Sequence, residues 1–293
     1  MLMMFDRNSC ASDFRLMHIP RGGTCKAHST SDTPLLQAAS SELQLRMPST
    51  RAIKILATPA DLFAAAAAEF VRAGREAIAA RNRFTVALSG GSTPKALYSL
   101  LAAEHADFDW AHAYLFFGDE RHVPPDHPDS NYRMVNEALL SKIQIPAANV
   151  FRVQAENPDA AAAATDYESR LADFFASKPD QFPRFDLILL GMGPDGHTAS
   201  LFPGSAGLQE HKKLFIANWV EKFKTDRLTL TFPVLNNAAE VIFLANGPDK
   251  ADMVHEVLEG SNDLPYPARQ IQPKNGRLVW YLEASAASRL TRR

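Results

Sequence analysis

From Arg51 onward the chain alternates between two kinds of segment, and that alternation most limits what it can fold into. "AIKILA", "FTVALS", "AYLFFG" and "FDLILLG" are apolar runs of strand length, separated by stretches of helix length. Thr58-Pro59 supplies an N-cap and a proline at the first helical position, so an alanine-rich helix is expected to run to about Arg81. Further helices are expected over "PKALYSLLAAEH", from Ser130 to about Ile143, from about Pro158 to Ser177 and from about Asp249 to Glu259. A short strand is expected near Val150, and "KLFIANWV", "RLTLTF", "EVIFLA" and "RLVWYL" read as additional strands. Such a sequence calls for an α/β fold: a single doubly wound, largely parallel sheet with helices on both faces. "FDLILLG" has the unbroken apolar character of a strand covered on both sides.

The first 48 residues differ from the rest, being rich in Ser and other small or polar residues and lacking sustained periodicity. Residues 1–48 are expected to be a poorly structured extension and 49–293 one domain, with Met47 a natural beginning. "MLMMFDRNSCASDF" has no continuous apolar core for a secretory signal, and Asp6, Asp13, Asp32 and Glu42 argue against a transit peptide. The two cysteines, Cys10 and Cys25, both lie in this region and cannot staple the core, which suggests a reducing, cytoplasmic setting. A net charge of −2 with dispersed basic residues gives no footprint for nucleic acid. The longest apolar stretch, Leu62 to Val71, is interrupted by Glu69 and is too short to span a bilayer.

In a parallel α/β sheet ligands bind beyond the carboxyl ends of the strands, so three loops carry the functional reading. In "ALSGGSTPKALY", Ser89, Gly90, Gly91, Ser92 and Thr93 join a strand to a helix expected to begin at Pro94. Glycines allow close backbone approach, and N–H groups at a helix start with two hydroxyls suit a phosphate. A capped strand–helix turn is the plainer alternative. In "FFGDERHVPPDHPDSNYRM", the charged triplet Asp119, Glu120 and Arg121 follows a buried strand and is costly unless it faces a cavity. His122, Asp126, His127 and Asp129 match no metal-ligand spacing, and three prolines break any helical face there.

The third loop, "DLILLGMGPDGHTASLFPG", satisfies G-x-G-x-x-G at Gly191, Gly193 and Gly196. A dinucleotide turn needs a helix running on from the glycines and an acid about 20 residues later. Pro203-Gly204 cuts such a helix short and the acid is missing, so no dinucleotide is expected. What the loop carries is Asp195 two residues before His197. A carboxylate beside an imidazole suits a general base, although a His that merely bonds its own turn reads equally well from this loop alone.

Together these three segments resemble the signature segments of the 6-phosphogluconolactonases, within a superfamily shared with glucosamine-6-phosphate deaminases. The resemblance covers roughly Arg51 to the C-terminus. It implies hydrolysis of 6-phospho-D-glucono-1,5-lactone to 6-phospho-D-gluconate in the oxidative pentose phosphate pathway, without a cofactor or metal. It implies further that His197 is the base with Asp195 beside it, that Arg121 and Asp119 stand at the reacting end, and that Ser89 to Thr93 take the phosphate. Arg227 in "DRLTLT" and Lys250 in "GPDKAD" match basic residues that contact the sugar phosphate. The deaminases use a Glu five residues after the His, and here that position is Phe202. A sugar-phosphate-binding regulator would bring a DNA-binding helix pair, which the N-terminal region does not resemble. A serine nucleophile is disfavoured because G-x-S-x-G does not occur. The expected partner is thus a small phosphorylated sugar lactone, with the protein a monomer or weak homo-oligomer.

Overall fold

The computed structural model describes residues 50–178, 180–261 and 266–291. The expected extension over 1–48 lies outside the described residues. Those described fall in one compact unit, Leu45–Arg293.

Among the described residues, ten strands form two sheets. β1 (Thr50–Leu56), β2 (Phe84–Leu88), β3 (Ala113–Phe117), β5 (Val150–Phe151), β6 (Leu187–Leu190), β9 (Glu240–Ala245) and β10 (Arg277–Glu283) make the larger one. Its order is β1-β10-β9-β6-β2-β3-β5 and every pairing is parallel. Every residue of β2, β6 and β9 is buried, so both faces of the sheet centre are covered. The expected parallel α/β sheet is therefore present. β4 (Asp119–Arg121), β7 (Phe215–Val220) and β8 (Thr225–Leu230) form a separate antiparallel sheet, in the order β4-β8-β7. β7 and β8 were legible as strands, but β4 lies in what reads as polar loop, because three charged residues carry no strand signal.

The helices are α1 (Pro59–Arg81), α2 (Ser92–Glu104), α3 (Asn131–Ala138), α4 (Ala160–Phe175), α5 (Phe232–Leu235) and α6 (Ala251–Leu258). Thr58 caps α1 as expected, its hydroxyl accepting from the Asp61 N–H at 3.1 Å. Ser130 caps α3 and Asp159 caps α4 in the same way. α2 differs in two respects. It begins at Ser92, two residues earlier than expected, and its N-cap Gly91 offers no side chain to the first turn.

The order of the strands places the site. From β2 the chain steps outward to β3 and β5, then returns to lay β6 against the other side of β2. β2 and β6 therefore flank the point where the winding reverses, and the loops that leave their carboxyl ends open a crevice between them. Those loops are Ser89–Gly91 and the segment from Gly191 to Gly204. The antiparallel sheet stands beside this crevice, because β4 follows β3 after the single residue Gly118.

Candidate active site

The loop after β2 is shaped by two glycines for different reasons. Gly91 has φ +104, which side chains rarely adopt. At Gly90 a Cβ would lie 1.9 Å from Oδ1 of Asn131, so the backbone passes directly over the start of α3. The N–H groups of Ser92 and Thr93 stand in the uncapped first turn of α2, and Pro94 has none to offer. Ser89 is buried and its hydroxyl has no partner. A buried hydroxyl without a protein partner beside helix-start N–H groups is a suitable arrangement for an anion.

The triplet after β3 divides its tasks. Glu120 does not face the crevice, contrary to the expectation for the whole triplet. Its carboxylate accepts from the backbone N–H groups of Arg121, Asn131 and Tyr132 at 2.8, 2.7 and 2.8 Å, which ties β4 to the start of α3. Burial pushes this carboxyl above its ordinary value, and those three N–H groups oppose the shift. Asp119 and Arg121, one residue to either side, point the other way in the strand. Asp119 Oδ2 accepts from the Ser200 hydroxyl at 2.7 Å. Arg121 donates to the Asp129 carbonyl at 2.5 Å and lies directly opposite Arg227 in the β4–β8 ladder. Burial, followed by the charge of Arg121, lowers the Arg227 pKa. His122 and His127 have local partners, the Asn157 carbonyl at 2.7 Å and the Asp129 N–H at 3.1 Å.

The loop after β6 holds the imidazole. Its glycine spacing serves the ring of His197 rather than a dinucleotide, since a Cβ on Gly193 would lie 2.0 Å from Cε1 of that ring. The Gly193 N–H donates to the His197 carbonyl at 3.0 Å, and Gly196 turns the chain between them at φ +75. Nδ1 of His197 lies 2.5 Å from Oδ1 of Asp195. Phe202 stacks on the ring at 4.1 Å between centroids. Burial alone would raise the Asp195 carboxyl; the hydrogen bond and charge of His197, with Lys222 beyond, outweigh it and hold it below its ordinary value. Lys222 was not legible as a neighbour of Asp195, because only the fold brings its ammonium to 3.4 Å.

One cavity of about 300 Å³ gathers these parts. Ser89, Gly90, Gly91, Ser92 and Thr93 line one side, with Asp119, Arg121, His197, Arg227 and Lys250 around the rest. Every residue that the resemblance assigns to the site is in its wall except Asp195, which stands behind His197; Glu120, His122, Asp126, His127 and Asp129 are not in it. Ser200, Phe202 and Phe223 also line it. A larger groove of about 830 Å³ runs between the start of α4 and β7, but among the described residues that line it Asp159, Glu210 and Asp226 outnumber the one cation, Lys213.

The family described as glucosamine-6-phosphate isomerases/6-phosphogluconolactonase matches residues 57–280, a span that includes all three loops. The chain belongs to this family. Among its members, the 6-phosphogluconolactonase of Nostoc sp. is 45% identical over 216 residues, covering 73% of this chain and 88% of its own. The human 6-phosphogluconolactonase is 43% identical, over 72% of this chain and 83% of its own. The solved structure of the 6-phosphogluconolactonase from Trypanosoma cruzi superimposes with a TM-score of 0.76 at 32% identity, covering 84% of this chain and 99% of that one. Within the family, the α/β fold described above is thus shared.

Proposed function

We propose that this chain is a 6-phosphogluconolactonase, hydrolysing 6-phospho-D-glucono-1,5-lactone to 6-phospho-D-gluconate in the oxidative pentose phosphate pathway. The observation that supports the reading is the single cavity lined by the glycine-serine loop Ser89–Thr93 and by His197, which is backed by Asp195. The names of the Nostoc and human relatives agree with it.

The chemistry follows from the parts. Asp195 remains ionised and engages Nδ1 of His197, which keeps the proton on that nitrogen and leaves Nε2 to accept one. Nε2 takes a proton from water as the water oxygen attacks C1 of the lactone, giving a tetrahedral oxyanion. Arg121 supplies positive charge toward that oxygen. As the ring C1–O bond breaks, the imidazolium returns its proton to the departing ring oxygen, and the carboxylic acid left at C1 gives its proton to solvent and leaves as the carboxylate. Ser89, Ser92, Thr93, Arg227 and Lys250 hold the phosphate, whose remote binding energy keeps C1 in register. Asp119, fixed by Ser200, is suited to accept a sugar hydroxyl at the reacting end. We place the reaction in the cytoplasm, with the protein a monomer or weak homo-oligomer.

The test is direct. Freshly generated 6-phosphogluconolactone should disappear well above its spontaneous rate, whereas glucosamine 6-phosphate should release no ammonia. Deamination without lactone hydrolysis would assign the chain to the other activity in the family's description.

A further inference from the structure

The hairpin joining β7 to β8 brings to the site a side chain that the reaction above leaves unused. We propose that Lys222 is a positioning residue for the Asp195–His197 pair. Its ammonium holds the outer oxygen of Asp195, so that the inner oxygen stays on Nδ1 of His197, and it weakens the carboxylate's grip on the protonated ring. The proposal rests on His197 acting as the base.

Three observations carry it. Lys222 Nζ lies 3.4 Å from Asp195 Oδ2, while Oδ1 of the same carboxylate meets His197 at 2.5 Å. Each carboxylate oxygen thus has its own cation or donor. The acid nearest to Lys222 in sequence is already engaged: Glu221 accepts from Trp219 Nε1 at 2.9 Å and pairs with Lys224. Finally, the turn is anchored over the pair. Phe223 N–H donates to the Val220 carbonyl at 3.0 Å, and the Phe223 ring meets Phe202 edge-on at 5.7 Å. Phe202 in turn stacks on His197, and Arg227 lies over Phe223 at 5.1 Å.

Lys222 is 59% exposed, so its ion pair adds little to stability. Its effect is electrostatic and directional. Neither Lys222 nor Asp195 lines the cavity, so the lysine acts through Asp195 and not on substrate. The other charged groups that line the cavity with the imidazole are Asp119 and Arg121 from β4, Arg227 from β8 and Lys250 after β9, and Glu221 and Lys224 flank Lys222 on the hairpin itself. All of them remain in every Lys222 variant, so a comparison among those variants isolates the one ammonium.

The experiment is the pH profile of kcat/KM on 6-phosphogluconolactone, after subtracting spontaneous hydrolysis, for wild type, Lys222→Met, Lys222→Glu, Lys222→Arg and His197→Ala. Removing a positive charge a few ångströms from the imidazole favours its protonated form. The acid limb should therefore move to higher pH by about 0.5 unit in Lys222→Met, further in Lys222→Glu, and hardly at all in Lys222→Arg. Below the limb, Lys222→Met should run about threefold slower through kcat, with KM unchanged. An unmoved limb in both Met and Glu variants, or a loss confined to KM, overturns the role of Lys222 while His197→Ala remains defective. If His197→Ala keeps wild-type kcat, the underlying assignment of the base fails instead.

Discussion

At the amino ends of β9 and β10, Glu240 and Arg277 stand opposite each other across neighbouring strands; at the site, Arg121 and Arg227 do the same. The first pair is of opposite sign and belongs to a cluster of acids and bases paired with one another, although Oε1 of Glu240 is buried without a hydrogen-bond partner. Glu69 meets Lys54, Arg72 and Arg277 at 3.4, 2.6 and 3.1 Å and accepts from the Tyr281 hydroxyl at 2.9 Å. Glu240 meets Arg72 at 2.6 Å and Arg277 at 3.4 Å. The second pair is of like sign, which destabilises a ladder unless something negative is added. Around it lie an unpartnered Ser89 hydroxyl and an uncapped helix start. On the function proposed above, the difference separates charge used to hold the fold from charge that meets a ligand. The first pair is matched by neighbouring opposite charges, whereas the like-charged pair has Asp119 and Asp129 nearby and would gain the substrate phosphate as a further partner.

The largest expected effect comes from the residue that makes room for the base. Gly193→Ala should lower kcat by about 10²-fold or more, because the added Cβ lies 2.0 Å from the His197 ring and must displace it. The melting temperature should change little by comparison, since the cost falls on a loop. A variant with near-normal kcat would mean that the ring position does not matter to turnover.

Next comes the like-charged pair. Arg227→Ala should cost about 1.5–3 kcal/mol in binding the phosphorylated lactone and little for the unphosphorylated one. It should also remove the repulsion with Arg121, so the free protein should be no less stable. Equal losses on both lactones would show that this arginine serves something other than phosphate.

The smallest effect belongs to the Glu69–Glu240 cluster, and it is an effect on stability alone. Burial, opposed by Arg277 and Arg72, pushes Glu240 up to about 7, whereas its partner Glu69 is held down at about 2 by Tyr281 and Arg72 against its own burial. A carboxyl raised in the folded state keeps a proton that the unfolded chain releases between about pH 4.5 and 7. Its contribution is therefore present at low pH and declines as pH rises through that window. Glu69 works in the opposite sense and loses its contribution as pH falls from 4.5 toward 2. Glu240→Gln should flatten the loss of stability between pH 5 and 8, by about 1–2 kcal/mol, and leave kcat unchanged. Identical pH dependence of unfolding in variant and wild type would contradict the raised Glu240 carboxyl, and a fall in kcat would contradict the separation of the two regions.

How much of this the sequence carried depended on distance along the chain. The parallel sheet was legible because each strand and helix announces itself over five to twenty residues through apolar spacing, turn residues and caps. The three loops were legible because their chemistry is compact, as with Asp195 two residues before His197. What escaped was set by contacts between remote segments. Gly90 is small because Asn131 comes to it from the start of α3, and Lys222 matters because a hairpin folds it back onto Asp195. The role of β4 was hidden for a related reason: three charged residues become a strand only when β8 supplies the ladder. Glu120 shows the same limit, since its burial against the start of α3 is visible only once α3 is in place.

The claim on which the rest depends is that His197 activates water for a substrate held elsewhere by its phosphate. Steady-state hydrolysis of 6-phosphogluconolactone by His197→Ala, with 6-phosphogluconate as a competitive ligand to measure phosphate affinity, separates the two halves of that claim. The expected result is a kcat lowered by about 10²–10⁴-fold with affinity largely intact, and a wild-type rate that falls on acidification as the imidazole takes up its proton. A His197→Ala protein that turns over at the wild-type rate, or one whose only defect is weaker binding, would contradict it.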